Sequence, residues 1–396
     1  MSRVVAVGTS LPAHAYRQDE ISRVTSELLT DDPVRRALTR RLHAHAGVET
    51  RHLALPLEDY GGLSFGSAND AFLALGTDLA EQACRAALDD AGLRPDEVDH
   101  VVLTTVTGVG APTLDVLVAA RLGLRPDVRR TPSFGWGCAG GAAGLARADD
   151  LLRGRPRDVA LLVAVELCSL TLQRTDPSTA NIVASGLFGD GAGAAVLVGD
   201  EHRLARRPGP YGRAGAGVHA RGVRVVDSRS HLHAGTTGDL GWRVGDTGFE
   251  IVLSARLPEL IGAHLLGDVK ALLAEHDLEP GDVGAWVVHA GGPRVLDAVR
   301  ETLGLAEEEL ALSRASLRDV ANLSSASVLH VLGATLARTD VPPGTPAVLM
   351  AFGPGVSTEL VLLRLDGRGP RRAHGPGHAG GHAGGHAVAR AEEGQG

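Results

Sequence analysis

Short, continuous apolar runs alternate with stretches of helical spacing along most of this chain. Residues 4–8 read as a buried strand and residues 19–29 as a helix. Residues 78–91 carry Leu79, Ala83, Ala87 and Leu88 at helical spacing and stop at Gly92. A strand follows at 99–105, a helix at 114–122 and another uninterrupted apolar strand at 158–165. In the second half, residues 222–227, 285–289, 347–351 and 360–364 read as strands. Residues 249–275 read as mostly helical, and 293–303 and 324–337 as helices. Apolar strands interleaved with helices predict an α/β chain with mostly parallel strands buried on both faces.

The pattern breaks twice. Residues 201–221 turn polar and rich in Gly, Pro and Arg, which predicts a seam between an N-terminal half (1–205) and a C-terminal half (206–366). From residue 367 the chain is Gly-, Arg-, Pro- and His-rich, with His374, His378, His382 and His386 regularly spaced. That composition cannot form a core, so 367–396 is expected to be a disordered tail that binds metal only adventitiously. A length of 396 residues fits two halves better than one small core. Aromatic residues are only 3% against 44% apolar overall, so cores must be built from Ala, Val and Leu. The net charge of -8 argues against a general nucleic-acid binder. Cys84, Cys138 and Cys168 are few, odd in number and widely spaced, matching neither a disulfide framework nor paired zinc ligands. With no signal-peptide core at residues 1–7 and no bilayer-length apolar stretch, a cytoplasmic protein is expected.

The chemistry concentrates at residues 131–145, where Cys138 stands among glycines directly before a helical run. Gly137, Gly140 and Gly141 permit a tight turn and close approach of a bulky ligand. A thiol at a helix N-terminus is expected to be drawn towards thiolate. His289 ends an apolar strand before Ala290-Gly-Gly-Pro293, and Asn322 lies in Ala321-Asn-Leu-Ser-Ser-Ala326 just ahead of a helix. Ligands of open α/β sheets bind at strand carboxyl ends, which fits all three positions. A Cys/His/Asn set can accept an acyl group from a thioester, or hold the enolate left when a malonyl group loses carbon dioxide. The same set could serve a papain-like hydrolase, so the trio alone does not choose the reaction.

Five stretches carry a family resemblance: Gly137-Cys138-Ala-Gly-Gly141, Gly186-Leu-Phe-Gly-Asp-Gly191, His289-Ala-Gly-Gly-Pro293, Asn322-Leu-Ser-Ser-Ala326 and Phe352-Gly-Pro-Gly355. In their order and spacing they resemble the type III polyketide synthases, the chalcone and stilbene synthase family, across nearly all of residues 1–366. The resemblance implies a thiolase-like fold, two similar βαβ-rich halves forming a layered α-β-α-β-α core. It also implies a homodimer, an acyl-CoA starter, malonyl-CoA as extender, no acyl carrier protein and no metal or other cofactor. By the resemblance Cys138 is the nucleophile, while His289 and Asn322 bind and decarboxylate the malonyl unit. Phe188 and Phe249 match the phenylalanines where the CoA tunnel meets the cavity, and Gly353, Pro354 and Gly355 belong to a cavity-shaping loop. Cys168 and Thr171 fall in the part that lines the starter cavity; both are small, which suggests a fatty acyl starter and an alkylpyrone or alkylresorcinol product. Arg40, Arg41 and Arg51 lie in an Arg/His-rich stretch that suggests a landing site for the anionic CoA.

Two departures bear on product shape. The loop begins with Ala351 where the plant enzymes have glycine, and residues 108–112 lack the methionine that in plants reaches the neighbouring cavity. The competing readings are a ketoacyl-ACP synthase III-like single condensation, a type III synthase starting from malonyl-CoA or an aromatic acyl-CoA, and a non-catalytic acyl-CoA binder. The first is disfavoured because its histidine motif usually reads His-Gln-Ala-Asn.

Overall fold

The structure, a computed structural model, describes residues 1–176, 178–206, 222–338 and 340–366. Residues 207–221 of the 201–221 seam and the His-rich tail lie outside the described residues. The N-terminal half holds strands β1 (Ser2–Ser10), β2 (His14–Arg17), β3 (Thr50–Leu53), β4 (His100–Thr105), β5 (Arg129–Phe134), β6 (Val159–Leu167) and β7 (Asp190–Gly199). Its helices are α1 (Gln18–Leu29), α2 (Pro33–Ala44), α3 (Phe65–Ala91), α4 (Leu114–Leu122), α5 (Gly140–Gly154) and α6 (Thr179–Leu187). The C-terminal half holds β8 (Val223–Leu232), β9 (Leu240–Gly245), β10 (Gly248–Leu253), β11 (Ala285–Val288), β12 (Pro346–Gly353) and β13 (Ser357–Leu365). Its helices are α7 (Leu257–Ala274), α8 (Pro293–Leu303), α9 (Ala311–Val320) and α10 (Ser327–Ala337).

Nine strands join in the order β11-β12-β13-β8-β1-β7-β6-β4-β5. The halves meet where β1 pairs with β8 over three residues, Ser2–Val4 against Val223–Val225. The expectation of mostly parallel strands is corrected. β4 runs parallel to β5 and β6, and β11 to β12, but β7 and β13 run antiparallel to both of their neighbours. An unbroken apolar run reports burial on both faces and is silent about direction.

The layers follow from alternation along the strands. Ala160, Leu162 and Val102 face a central layer with α5 and α10, and Val287, Leu349 and Val361 close that layer from the other half. Val101, Leu103, Leu161 and Val163 face outwards under α3. Trp286, Val288, Val348 and Met350 face outwards under α7 and α8. The result is the expected α-β-α-β-α order, with two central helices buried on nearly every side. Gly8 makes the outer layer possible, since a Cβ there would lie 2.2 Å from the Ala83 carbonyl of α3.

Two elements differ from the sequence reading. Helix α3 begins at Phe65 rather than near 78, because Ser64 and Ser67 form a reciprocal cap. Phe249 lies in a strand and not in a helix: β9 and β10 form a hairpin that turns at Asp246 and Thr247, and Gly248 opens β10 with φ +113°. Only from Leu257 does the chain become helical.

Candidate active site

Cys138 lies in a short turn, Gly137–Ala139, that runs straight into α5. Gly137 has φ +50°, and a Cβ there would meet the Pro354 ring at 2.8 Å. A Cβ on Gly141 would stand 2.4 Å from the Ser325 carbonyl, and one on Gly353 would stand 2.6 Å from the Ala139 Cβ. These three contacts bring the Cys138 turn, the turn before α10 and the loop after β12 to one place. The glycines therefore do more than permit the turn. They let three backbone segments meet at the thiol.

Asn322 arrives on the turn before α10, and His289 on a further segment directly after β11. Asn322 follows Ala321 at φ +68° and precedes Ser324 at φ +49°, conformations that cost a non-glycine residue about 1–3 kcal/mol each. That strain fixes the carboxamide: its Oδ1 accepts the Ser324 N–H at 2.8 Å, and its Nδ2 donates to the Gly291 carbonyl at 3.2 Å. Asn322 is thereby tied to the turn that carries His289. The backbone of His289 donates to Met350 at 2.9 Å, but neither ring nitrogen has a hydrogen-bond partner, although the residue is buried. A buried imidazole with both nitrogens open is poised for a ligand rather than for packing.

Burial decides the charges. It pushes the Cys138 thiol up to about 12, against the lowering effect of hydrogen bonds from Ser324 and Asn322 and with a further upward push from Glu166. The expectation of a dipole-stabilised resting thiolate is corrected: desolvation outweighs the helix terminus. Burial likewise lowers His289 to about 4, leaving it neutral and able to accept a proton. The resting pair is thiol and imidazole, and a proton must pass between them, or to another base, before attack.

The His289 shift has a measurable sign. Unfolded His289 titrates near 6.5 and the folded residue near 4, so acid favours the unfolded chain as pH falls below about 6.5. This one residue should cost about 2 kcal/mol of stability between pH 7 and pH 5. A His289→Gln variant should lose that much less than wild type over the same interval in urea titrations. Equal pH dependence of the two proteins would contradict the buried neutral imidazole.

Glu166 is the residue the sequence reading passed over. Its Oε2 accepts from the Thr105 hydroxyl at 3.2 Å, the Val106 N–H at 3.0 Å and the Thr107 hydroxyl at 2.8 Å. Its Oε1 accepts from the hydroxyls of Ser324 at 3.3 Å and Ser325 at 2.6 Å. Ser324 in turn accepts the Cys138 thiol at 3.8 Å. The carboxylate thus fastens the ends of β4 and β6 to the turn that holds Asn322. Its signal was visible: one acidic residue near the end of the apolar strand Val159–Leu167.

The remaining predicted residues divide. Phe188 is bridged to Asn322 through its backbone and sits 6.4 Å from Trp242, which sits 6.4 Å from Phe249. Trp242 therefore links the two phenylalanines, a role that sequence alone did not suggest. Cys168, Thr171 and Phe188 border one small cleft with Trp242 and Ile251. Pro354 touches the Cys138 turn, and Gly355, at φ +69°, donates to the Leu240 carbonyl at 2.8 Å. Arg40 and Arg41 are exposed on α2, but Arg51 is not part of that surface. It points inwards from β3, 4% exposed, and its guanidinium lies in the cleft beside Cys168 with Nε lacking a partner. The alternation of β3 explains the correction: Arg51 and Leu53 face in, Thr50 and His52 outwards.

Comparison with known proteins agrees with this geometry. The profile of the N-terminal domain of chalcone and stilbene synthases matches residues 1–201, and that of the C-terminal domain matches residues 225–365. A 1,3,6,8-tetrahydroxynaphthalene synthase from Streptomyces peucetius subsp. caesius is 50% identical over 91% of this chain and 92% of its own. A 3,5-dihydroxyphenylacetyl-CoA synthase from Amycolatopsis balhimycina is 29% identical over 92% of this chain and 93% of its own. The crystal structure of the tetrahydroxynaphthalene synthase of Streptomyces coelicolor superposes with a TM-score of 0.82 at 31% identity, covering 92% of this chain and 99% of that one. A thiolase-like core that gathers Cys138, His289 and Asn322, together with these matches across both halves, places the chain in the chalcone and stilbene synthase family: it is a type III polyketide synthase.

Proposed function

We propose that this synthase uses malonyl-CoA as both starter and extender and releases a tetrahydroxynaphthalene. The observation that carries the reading is the 50% identity to a 1,3,6,8-tetrahydroxynaphthalene synthase over nearly the whole of both chains. The cleft beside Cys168 supports it. Its lining includes Arg51, Ser169, Thr171, Asn181 and Ser185. Arg51 remains a cation there, since burial lowers its guanidinium only to about 10. A buried cation on one side of a cleft whose other lining is Phe188, Trp242 and Ile251 suits a chain bearing a carboxylate and many carbonyls.

His289 or a base acting through it takes the Cys138 proton, and the thiolate attacks the thioester carbonyl of the starter, releasing CoA. A second malonyl-CoA places its thioester oxygen against the N–H groups of Asn322 and His289. They stabilise the enolate formed as the carboxylate leaves as carbon dioxide. The enolate carbon then attacks the acyl-Cys138, joining two carbons and freeing the sulfur. Five malonyl units supply the ten ring carbons of the product named for the relative, with loss of five carbon dioxides, five CoA and one water. Transfers go directly from CoA thioesters, without a carrier protein. The enzyme works as a homodimer in this reading: β5 is the outermost strand of the large sheet and mostly exposed, with Phe134 51% accessible at its end, a surface open to a second copy. No described helix is long and apolar enough to cross a membrane.

Product analysis decides between this and the fatty acyl starter that the small Cys168 and Thr171 suggested. With malonyl-CoA alone, wild type should yield a tetrahydroxynaphthalene, or the naphthoquinone formed from it in air. Cys168→Phe should shorten or divert the chain while carbon dioxide release continues. Alkylpyrones formed faster from long-chain acyl-CoA, with no naphthalene from malonyl-CoA alone, would contradict the proposal.

A further inference from the structure

We propose that His231, His233 and Asp268 form a site for a divalent transition-metal ion of the zinc class, outside the condensing centre. His231 is the last residue but one of β8 and His233 follows that strand, while Asp268 projects from α7. One ring nitrogen from each histidine and a carboxylate oxygen lie within 4.8 Å of one another. His231 Nδ1 stands 2.5 Å from Asp268 Oδ1, and His233 Nε2 stands 3.4 Å from Asp268 Oδ2. An ion about 2.0–2.1 Å from each donor in tetrahedral geometry holds its donors about 3.3 Å apart. The second separation already fits, and the first must open by less than about 1 Å as the ion replaces the shared proton.

Three further observations point to a cation. Asp268 is 6% exposed, yet its Oδ2 has no hydrogen-bond partner, a buried carboxylate oxygen left for something else to satisfy. The Thr358 hydroxyl lies 2.9 Å from His233 Nε2 and puts a further oxygen at the site. His264, one helical turn before Asp268, stacks on His233 with ring centroids 4.3 Å apart. His233 and Asp268 are buried, but the His231 side chain is 52% exposed, so an ion can enter from solvent. Two imidazoles and one carboxylate select borderline metals over calcium or magnesium, which prefer oxygen ligands throughout.

The site has a mechanical consequence. The His233 N–H donates to the Val356 carbonyl at 3.2 Å, and the Thr236 hydroxyl donates to the Gly355 carbonyl at 2.7 Å. An ion between β8 and α7 would therefore brace the segment that carries the Gly353–Pro354–Gly355 wall beside Cys138. This site departs from the expectation of no metal drawn from sequence, because its ligands are two apart on one element and about 35 residues away on another.

The test uses the full-length chain, stripped with chelator and titrated with zinc ion, and with cobalt ion as a spectroscopic probe. Because the tail carries four regularly spaced histidines, the readouts are the metal-induced rise in melting temperature and tetrahedral cobalt absorption, each compared across variants. At a hundredfold excess over Kd, wild type should gain roughly 3–5 °C. A variant with alanine at His374, His378, His382 and His386 should keep that gain, and His231→Ala and Asp268→Asn should lose it. Because His231 is exposed, His231→Ala should fold even if Asp268→Asn does not. No gain in wild type, or an undiminished gain in His231→Ala, would overturn the site.

Discussion

A Cys138→Ala variant is expected to fold like wild type and to make no product, a loss of at least about ten-thousandfold. The sulfur contributes little to packing. It donates one long hydrogen bond to Ser324, and the glycines around it are held by backbone contacts that alanine does not disturb. Stability should change by less than about 1 kcal/mol. No other cysteine can stand in for it. Cys84 is fully buried in α3, and burial pushes its thiol well up; burial also raises Cys168, with the nearby carboxylates of Glu166 and Asp190 adding to the effect. Only Cys138 sits where its own glycine turn, the turn before α10 and the loop after β12 meet. Product analysis with malonyl-CoA, alongside a thermal melt of the same preparation, checks both halves of the expectation. Product at wild-type rate would remove Cys138 from its role.

Loss of Asn322 or His289 should strike the decarboxylation step, lowering carbon dioxide release from malonyl-CoA about a hundred- to thousandfold. Each supplies a donor to the thioester oxygen as it becomes an enolate, and the Asn322 carboxamide is already held before substrate arrives. Asn322 carries a second cost, because Asn322→Ala leaves the Gly291 carbonyl and the Ser324 N–H without their partner. About 1–3 kcal/mol of stability should go with each group left buried and unpaired. His289 has no such structural hydrogen bonds through its ring, so His289→Ala should lose activity with a smaller change in stability. Measuring carbon dioxide without added starter isolates the step from loading of other acyl groups. Near wild-type release from both variants would contradict the assignment.

Much of the fold and of the site was legible in the chain. The apolar runs became buried strands, and the glycine turns at Cys138 and His289 appear where the spacing put them. Strand direction was not legible, because β7 and β13 are apolar on both faces whichever way they run. Phe249 was misplaced in a helix because the β9–β10 hairpin shows itself only through Gly248 and a short alternation. Arg51 was grouped with Arg40 and Arg41 because they are close in sequence, whereas a two-residue period turns Arg51 inwards. Glu166 and the positive φ of Ser324 were hidden for a different reason. Their meaning depends on partners more than a hundred residues away, Ser324 and Ser325 for the first and Glu166 for the second. Burial, likewise, overrode the local helix terminus in setting the charge of Cys138.

The central claim is that a CoA thioester is transferred to Cys138 and elongated there with malonyl units. Rapid quenching of the wild-type enzyme with malonyl-CoA, followed by proteolysis and mass spectrometry of the Cys138 peptide, tests it most directly. The account predicts a ladder of adducts on that peptide, beginning at an acetyl or malonyl group and growing by two-carbon ketide units, with Cys84 and Cys168 unmodified. An unmodified Cys138 peptide from an enzyme that is turning over, or adducts on another residue, would contradict it.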